Sequence, residues 1–160
     1  MDASGKPVES VQDMNWAEGV PLMAGQFMMG LAEPSPETKE YWEALKEDVL
    51  LIKRCAGCGV HNHPRRLFCT GCNSDALQWV EVEGTGSVYT FSTVYRAPIP
   101  AFEKEIPYTV GVLELTEGVY LFSRIIPEPG KEVHIGAPVR LTFQQTGPNG
   151  RLPAFQIVAK

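Results

Sequence analysis

The sequence lacks two features that would mark a membrane or nucleic-acid protein. It has no apolar run near the roughly 20 residues that a membrane helix needs, and its start, MDASGKPVES, lacks the basic and apolar parts of a secretory signal. Its 14 basic and 19 acidic residues give a net charge of −5, whereas domains that bind a phosphate backbone usually carry a basic excess. We therefore expect a cytoplasmic protein with no membrane partner, and we do not expect nucleic acid as its main ligand.

Recognisable catalytic motifs are also missing. The chain has no glycine-rich phosphate loop, no evident Ser-His-Asp pattern and no HExxH, and it contains only three histidines. One of these, His134, stands in KEVHIGAPV ahead of an apolar segment and is expected to be a surface residue rather than a general base. The sequence therefore predicts no catalytic residue in this chain.

Cysteine is confined to one stretch, CAGCGVHNHPRRLFCTGC. Two Cys-x-x-Cys pairs are separated by ten residues, and this spacing lets two tight knuckles close a tetrahedral shell of four thiolates around a metal. In a cytosolic protein, paired thiols more often bind metal than form disulfides. The predicted ligands are the four cysteines, Cys55, Cys58, Cys69 and Cys72.

The default ion for this site is structural Zn²⁺, and iron, as in a rubredoxin-like electron carrier, is the alternative. Four thiolates leave no open position for water or substrate, so the predicted site holds the fold together rather than performing catalysis. His61 and His63 lie between the two pairs. Because four thiolates already complete the shell, both histidines are expected at the surface.

The chain divides into four predicted parts. Residues 1–34 include the Met-rich segment VPLMAGQFMMGL and predict a flexible or partner-docking extension. Residues 35–52 predict a helix and a lead-in strand, and residues 53–76 predict the ribbon. Residues 77–160 predict a small barrel.

The predicted helix has a clear beginning and an apolar side. Ser35 can cap it, and Pro36 fits its first turn. Tyr41, Trp42 and Leu45 then form an apolar stripe at helical spacing. We expect this stripe to be a core or subunit contact.

Short alternating segments dominate the rest of the chain. LQWVEVEGTGSVYTFSTVYRA is broken at GTG, and YTVGVLELTEGVYLFSRII is two strands around the turn TEG. APVRLTFQQT and PAFQIVAK are joined by GPNGR. Five or six strands with Gly and Pro turns predict a five-stranded Greek-key barrel of the OB type. The predicted fold is mainly β: an N-terminal helix, a rubredoxin-like four-cysteine zinc ribbon and an OB-fold barrel.

The order of these parts gives a resemblance over about residues 35–160. Its segments are YWEALKED, RCAGCGVHNHPRRLFCTGC, LQWVEVEGTGSVYTFSTV, IPYTVGVLELTEGV, IGAPVRLTF and LPAFQIV. The chain resembles a family of zinc-ribbon plus OB-fold proteins, long labelled a domain of unknown function, that accompany thiolase-like enzymes of acyl-CoA metabolism. The ribbon alone is generic, whereas its combination with the two barrel motifs is specific.

The resemblance implies a non-catalytic accessory subunit in a heteromeric complex. The implied partner is a thiolase-fold enzyme acting on CoA thioesters: a thiolase, an acyltransferase or a retro-aldolase of steroid side-chain breakdown. Some relatives also work beside hydratases of the hot-dog fold. The catalytic residues would lie on the partner, and this chain would stabilise the partner and help to form the acyl-CoA passage, with acyl-CoA at the shared site.

Three residues are candidate contacts with CoA or the partner. Arg65 and Arg66 lie in the ribbon, and guanidinium groups bind phosphate oxygens with two donors. Phe102 lies in the long loop YRAPIPAFEKEIPY. The competing interpretation is an ordinary solvated surface for the arginines and packing on the barrel for Phe102.

A second function remains open from sequence. Ribbons and OB barrels also bind single-stranded nucleic acid, and Tyr89, Phe91 and Tyr95 alternate on one predicted strand, where they could stack bases. The acidic net charge opposes this interpretation. A third candidate function is that of an independent redox or metal-dependent enzyme. It would require iron in the cysteine site, or a metal with an open coordination position.

Overall fold

The structure, a computed structural model, describes residues 35–97, 102–128, 132–146 and 150–158. The predicted extension, residues 1–34, lies outside the described residues. The described chain contains one short α-helix, a three-stranded sheet and a closed five-stranded barrel. The predicted mainly-β fold with a helix and a barrel is therefore confirmed.

Helix α1 spans Lys39–Lys46 and follows a single 3-10 turn, Pro36–Thr38. Ser35 is the N-cap residue of that turn, as predicted. Leu45 is fully buried, and Tyr41 and Trp42 pack against the same core. The predicted apolar stripe is therefore a core contact. No helix in the described part of the chain is long and apolar enough to span a membrane.

A small antiparallel sheet follows the helix, with strand order β2-β1-β3. Its strands are β1, Leu50–Cys55; β2, His61–Asn62; and β3, Leu77–Val82. Side chains alternate along the central strand β1. Leu50 and Ile52 are buried in the main core, whereas Lys53 and Cys55 lie on the opposite face, with the ribbon.

The barrel closes in the order β4-β5-β6-β8-β7. Its strands are β4, Thr85–Val94; β5, Tyr108–Leu115; β6, Tyr120–Ile126; β7, Pro138–Thr146; and β8, Gly150–Ile157. β7 pairs with β4 to close the barrel, and β6 and β8 run parallel while the other neighbours run antiparallel. This arrangement is a five-stranded Greek-key barrel of the OB type.

The pairing of β4 with β5 is irregular at one point. The register shifts between Val88 and Thr90, which leaves Tyr89 as the extra residue of a β-bulge. The two strands approach closely here, because a Cβ on Gly111 would lie 2.3 Å from the Thr90 carbonyl oxygen. Glycine at this position therefore permits the bulge.

One continuous core joins the helix, the small sheet and the barrel. An ion pair at its edge reinforces the junction, since Arg151 of β8 donates to Asp48 after the helix at 2.6 Å. The buried members of the core are Leu45, Leu50, Ile52, Val82, Val88, Leu113, Leu115, Val119, Leu121, Ile125, Ala137, Val139, Phe155 and Ile157.

Strand β3 joins the ribbon to the barrel. It pairs along its whole length with β1, from Leu50 opposite Val82 to Cys55 opposite Leu77. Residues 77–82 therefore lie in the small sheet, and the first barrel strand begins at Thr85. The division into residues 35–52, 53–76 and 77–160 stays a proposal.

Candidate metal centre and ribbon loop

The two cysteine pairs form knuckles with the same backbone pattern. In each knuckle, the amide of the first cysteine donates to the carbonyl of the residue five positions later. The amide of the residue four positions later donates to the carbonyl of that cysteine. The bonds are Cys55 to Val60, 2.9 Å; Gly59 to Cys55, 2.9 Å; Cys69 to Ser74, 2.8 Å; and Asn73 to Cys69, 2.9 Å. The returning residue has positive φ in both knuckles, 77° at Gly59 and 60° at Asn73. Glycine and asparagine are the residues that adopt this conformation most readily.

The knuckles bring all four sulfur atoms together. Every pair of the four Sγ atoms lies within 4.8 Å. The Cys55 and Cys72 sulfurs are 3.6 Å apart, and those of Cys58 and Cys69 are 3.4 Å apart. A tetrahedron with metal–sulfur bonds of about 2.3 Å has sulfur–sulfur edges of roughly 3.8 Å. The cluster therefore fits a structural metal held by four thiolates, and such a shell has no open position.

Backbone amides and neighbouring thiols set the acidity of the cluster. Hydrogen bonds led by the Cys72 amide lower the pKa of Cys69 to about 6, and one from the Cys58 amide lowers the pKa of Cys55. At Cys58 the Val60 amide acts in the same direction, but contacts with the Cys72 and Cys69 thiols raise its pKa to about 12. Four adjacent thiols cannot all ionise without a cation to offset their negative charges. Binding of a metal cation would therefore displace the protons that remain on the thiols.

Asn62 ties the two knuckles together, and the sequence analysis missed it. Its side chain is only 2% exposed. Its Nδ2 donates to the Val60 carbonyl at 2.9 Å and contacts Cys69 Sγ at 3.7 Å. Its Oδ1 accepts from the amide and the hydroxyl of Thr70 at 2.8 and 2.9 Å. The sequence offered one weak indication of this role: Asn62 lies between the two cysteine pairs, in a stretch without acidic residues.

The three histidines lie away from this cluster of sulfurs. Within the described residues, the four cysteines are the one group of three or more His, Cys, Asp or Glu side chains placed to hold a metal. His63 Nδ1 accepts from the Arg65 amide at 3.2 Å. Burial, followed by the charges of Arg65 and Arg66, lowers the pKa of His63. His61 is half-buried in β2, and His134 is exposed.

The ribbon loop, residues 63–68, is a turn with exposed basic and apolar side chains. The Arg66 amide donates to the His63 carbonyl at 2.9 Å. Arg65 and Arg66 are exposed, as are the apolar side chains of Leu67 and Phe68. Residues 65–73 line an open cleft of about 590 Å³. The predicted contact residues Arg65 and Arg66 thus lie together beside the cysteine cluster.

The third predicted contact residue, Phe102, lies on the barrel. Its ring packs on Tyr108 with 5.7 Å between centroids, and the Arg124 guanidinium lies 5.0 Å from the Tyr108 centroid. Arg124 also pairs with Glu105. The structure therefore places Phe102 against a barrel strand, and its predicted contact with CoA or the partner stays a prediction.

Several aromatic side chains are exposed, among them the three predicted for base stacking, Tyr89, Phe91 and Tyr95. The bulge at Tyr89 shifts the alternation of β4, so Phe91 pairs with the buried Gly111 while Tyr89 contacts Tyr120 outside, 5.1 Å between centroids. Phe122 lies on the same outer face and is 72% exposed. The bulge breaks the strict alternation between Tyr89 and Phe91, and the use of Tyr89, Phe91 and Tyr95 as a stacking platform stays a prediction.

Comparisons with known proteins identify both modules. Residues 42–78 match a family model described as the rubredoxin-like zinc ribbon domain of ChsH2, and residues 79–144 match that of the ChsH2 C-terminal OB-fold domain. A DUF35 domain-containing scaffold protein of Methanocaldococcus jannaschii is 34% identical over 111 residues, which are 68% of this chain and 78% of the relative. The chain belongs to the DUF35 family. The resemblance noted from sequence is thereby confirmed.

Two further comparisons concern named relatives of this DUF35 chain. A solved chain titled Ltp2-ChsH2(DUF35) aldolase superposes with a TM-score of 0.70 at 35% identity, over 79% of this chain and 98% of the other. A probable enoyl-CoA hydratase alpha subunit of Thermomonospora curvata is 38% identical over 116 residues. Those residues are 72% of this DUF35 chain but only 36% of the hydratase subunit. The chain therefore spans about a third of that relative's length.

Proposed function

We propose that this DUF35 protein is a non-catalytic accessory subunit that binds and stabilises a thiolase-fold enzyme acting on acyl-CoA thioesters. The observation that supports this most directly is the superposition on the Ltp2-ChsH2(DUF35) aldolase, which covers 98% of that chain at 35% identity. The four-cysteine cluster agrees with a non-catalytic role, since four thiolates complete a metal shell.

The enzyme partner is a thiolase, an acyltransferase or a retro-aldolase, with steroid or other lipid degradation in the cytoplasm as its setting. A hot-dog-fold hydratase is a further partner of the same complex. The support for it is the relative named a probable enoyl-CoA hydratase alpha subunit, which is about three times as long as the shared region.

Zn²⁺ is the proposed occupant of the cysteine cluster, where Cys55, Cys58, Cys69 and Cys72 would hold it. When bound, it supplies folding energy to a ribbon too small to have its own core. Elemental analysis of protein purified without chelators should find about one zinc per chain and a colourless sample. A red, iron-containing sample would instead support the electron-carrier alternative.

The ribbon loop is the proposed contact with the acyl-CoA at the shared site. Arg65 and Arg66 are exposed side by side, and the guanidinium group binds phosphate oxygens with two parallel donors. Phe102 is a separate contact with the partner, on the barrel side. Together these contacts help to form the acyl-CoA passage.

The central experiment is co-expression with the thiolase-like enzyme encoded beside this chain in its host. Size-exclusion chromatography with light scattering should give one heteromeric complex, and the enzyme should be less soluble or less active alone. Separate elution, with full enzyme activity in the absence of this chain, would contradict the proposed role. This assay does not depend on which acyl-CoA is the substrate.

A matched pair of variants tests the loop within that complex. Arg65→Ala combined with Arg66→Ala should raise the dissociation constant for CoA at least tenfold, with the complex intact. Arg140→Ala removes an exposed arginine from β7 of the barrel and should leave CoA binding unchanged. Equal effects of the two changes would show that the loop makes no specific contact.

Single-stranded nucleic acid is the second candidate, because exposed aromatic rings on an OB barrel can stack bases. Tyr89, Tyr120 and Phe122 provide such rings on one face of the barrel. Fluorescence anisotropy with single-stranded oligonucleotides at low salt separates the two functions. Micromolar binding that weakens steeply with salt would favour the nucleic-acid module.

A further inference from the structure

Lys53 is an unusual buried residue. It lies in the middle of β1 and is 7% exposed, although lysine is almost never fully buried unless its charge is paired. It pairs in register with Asn62 of β2 and with Trp79 of β3. Because cross-strand partners share a face, these three side chains form one row across the sheet. We call this row Asn62–Lys53–Trp79 the ribbon row.

Each member of the ribbon row contacts a different part of the molecule. Lys53 Nζ donates to the Arg66 carbonyl at 3.0 Å and lies 4.5 Å from the centroid of the Trp79 ring. Trp79 Nε1 donates in turn to Glu40 Oε2 of α1 at 2.6 Å. Asn62 makes the bridge between the cysteine knuckles described above. The row thus links the cysteine cluster, the ribbon loop and the helix.

Burial is the largest influence on Lys53 and lowers its pKa, and its surroundings offset part of that effect. The Trp79 ring face attracts a cation, the Arg66 carbonyl accepts one ammonium hydrogen, and the carboxylates of Glu37 and Glu40 act on the same charge. These groups favour the charged ammonium, although burial acts against it.

We infer that Lys53 is the positioning residue of the ribbon loop: by binding the Arg66 carbonyl, it fixes the backbone from which Arg65 and Arg66 project toward an anionic group. The inference deepens the proposed function and rests on it for the identity of that anion, the phosphates of CoA. The physical reason is preorganisation, since a loop fixed before binding does not lose conformational entropy when the ligand arrives.

The first measurement uses the isolated zinc-loaded chain, so it does not depend on the partner. Backbone ¹⁵N relaxation should report ordered amides at residues 65–68 in the native protein. Lys53→Met should lower their order parameters, because the ammonium donor is lost while the length and apolar stem are kept. Lys46→Met, a change at an exposed helix lysine, is the matched control. Unchanged order of the loop in a folded Lys53→Met variant would overturn the inference.

Two further variants keep the test decisive. Lys53→Arg retains a cationic donor over Trp79 and should restore part of the loop order, which loss of packing alone would not explain. If Lys53→Met fails to retain zinc, Lys53→Gln can replace it, because this change removes the ammonium and shortens the stem while keeping a polar side chain beside Trp79. A fluorotryptophan ¹⁹F resonance assigned to Trp79 should move in Lys53→Arg and stay unchanged in Lys46→Met. An unmoved Trp79 resonance would count against the contact.

The second measurement uses the complex with the thiolase-fold enzyme and CoA as the probe. Lys53→Met should weaken CoA binding about tenfold, the loss that corresponds to ordering roughly one more loop residue when the ligand binds. If the loop loosens and the Arg65/Arg66 variant weakens binding while Lys53→Met does not, the positioning role is wrong. If the loop loosens but the Arg65/Arg66 variant binds CoA normally, the role of Lys53 in ordering the loop stands and the proposed CoA contact fails.

Discussion

Replacement of Asn62 by alanine tests the cysteine cluster most sharply, because it changes no proposed metal ligand. The variant loses the donor to the Val60 carbonyl and the acceptor of two hydrogen bonds from Thr70, at distances of 2.8 to 2.9 Å. It also loses the contact with Cys69 Sγ. Fewer hydrogen bonds would then join the two cysteine knuckles.

The expected loss can be estimated from these bonds. Each hydrogen bond contributes about 1 kcal/mol net, and a buried group left without its partner costs more. Water can reach the exposed Thr70 but not the whole site, so we expect Asn62→Ala to lower the free energy of unfolding by about 2–3 kcal/mol. Loss of such a partner around a metal typically lowers metal affinity 10- to 100-fold. The two estimates agree, because 1.4 kcal/mol corresponds to about a factor of ten.

The assay is competition for Zn²⁺ against a chromophoric chelator, followed by thermal unfolding of the zinc-loaded protein. Gln78→Ala is the matched control, since it removes an exposed amide from β3, on the other side of β1 in the same sheet. A zinc affinity for Asn62→Ala within threefold of the native value would refute the view that this side chain organises the site. An equal loss in both variants would show a general effect on the sheet.

Three other predictions concern the metal, the pH dependence and the core. Cys58→Ser should lower the zinc content well below one per chain and unfold the ribbon, as measured by elemental analysis and limited proteolysis; retention of full zinc would contradict a four-thiolate shell. Burial raises the pKa of Tyr41 to about 12, so its neutral form stabilises the fold fully below pH 10 and this contribution disappears as the pH rises toward 12. Denaturation of Tyr41→Phe should therefore show up to about 3 kcal/mol less alkaline destabilisation than the native chain, and identical curves would refute the assignment. Phe155→Ala, at a fully buried position of the barrel, should cost about 3–5 kcal/mol in chemical denaturation, whereas a loss below 1 kcal/mol would mean that the core is not packed as described.

Local sequence patterns predicted most of the fold. Alternating apolar residues and Gly or Pro turns set the barrel strands, since these signals depend only on neighbours in the chain. The bulge at Tyr89 was not predictable in this way. It arises from the close approach of two strands at Gly111, a contact between residues far apart in sequence. The extra residue breaks the alternation between Tyr89 and Phe91 that the sequence indicated.

The cysteine cluster was equally predictable from local sequence, because two Cys-x-x-Cys pairs of fixed spacing define it. Lys53 and Asn62 were missed for the opposite reason. A lysine or asparagine in a polar stretch usually lies at the surface, and only the pairing of β2, β1 and β3 brings these two side chains into one buried row. Residues that support a site from a neighbouring strand leave no periodic signal in their own segment.

Through the ribbon row, a metal bound by the cysteines would also stabilise parts of the fold outside the cysteine cluster. Asn62 bonds to both knuckles, Lys53 to the ribbon loop, and Trp79 to the helix through Glu40. Because Cys55 is the last residue of β1 and Asn62 lies in β2, loss of order in the knuckles would reach both strands directly, and with β1 it would reach Lys53. Removal of the metal should therefore loosen residues 65–68 and the Trp79–Glu40 bond before it affects the barrel, whose own hydrogen bonds begin at Thr85. Hydrogen exchange on the chelator-treated chain would show whether protection is lost in that order, and simultaneous loss in ribbon and barrel would mean that the two unfold as one unit.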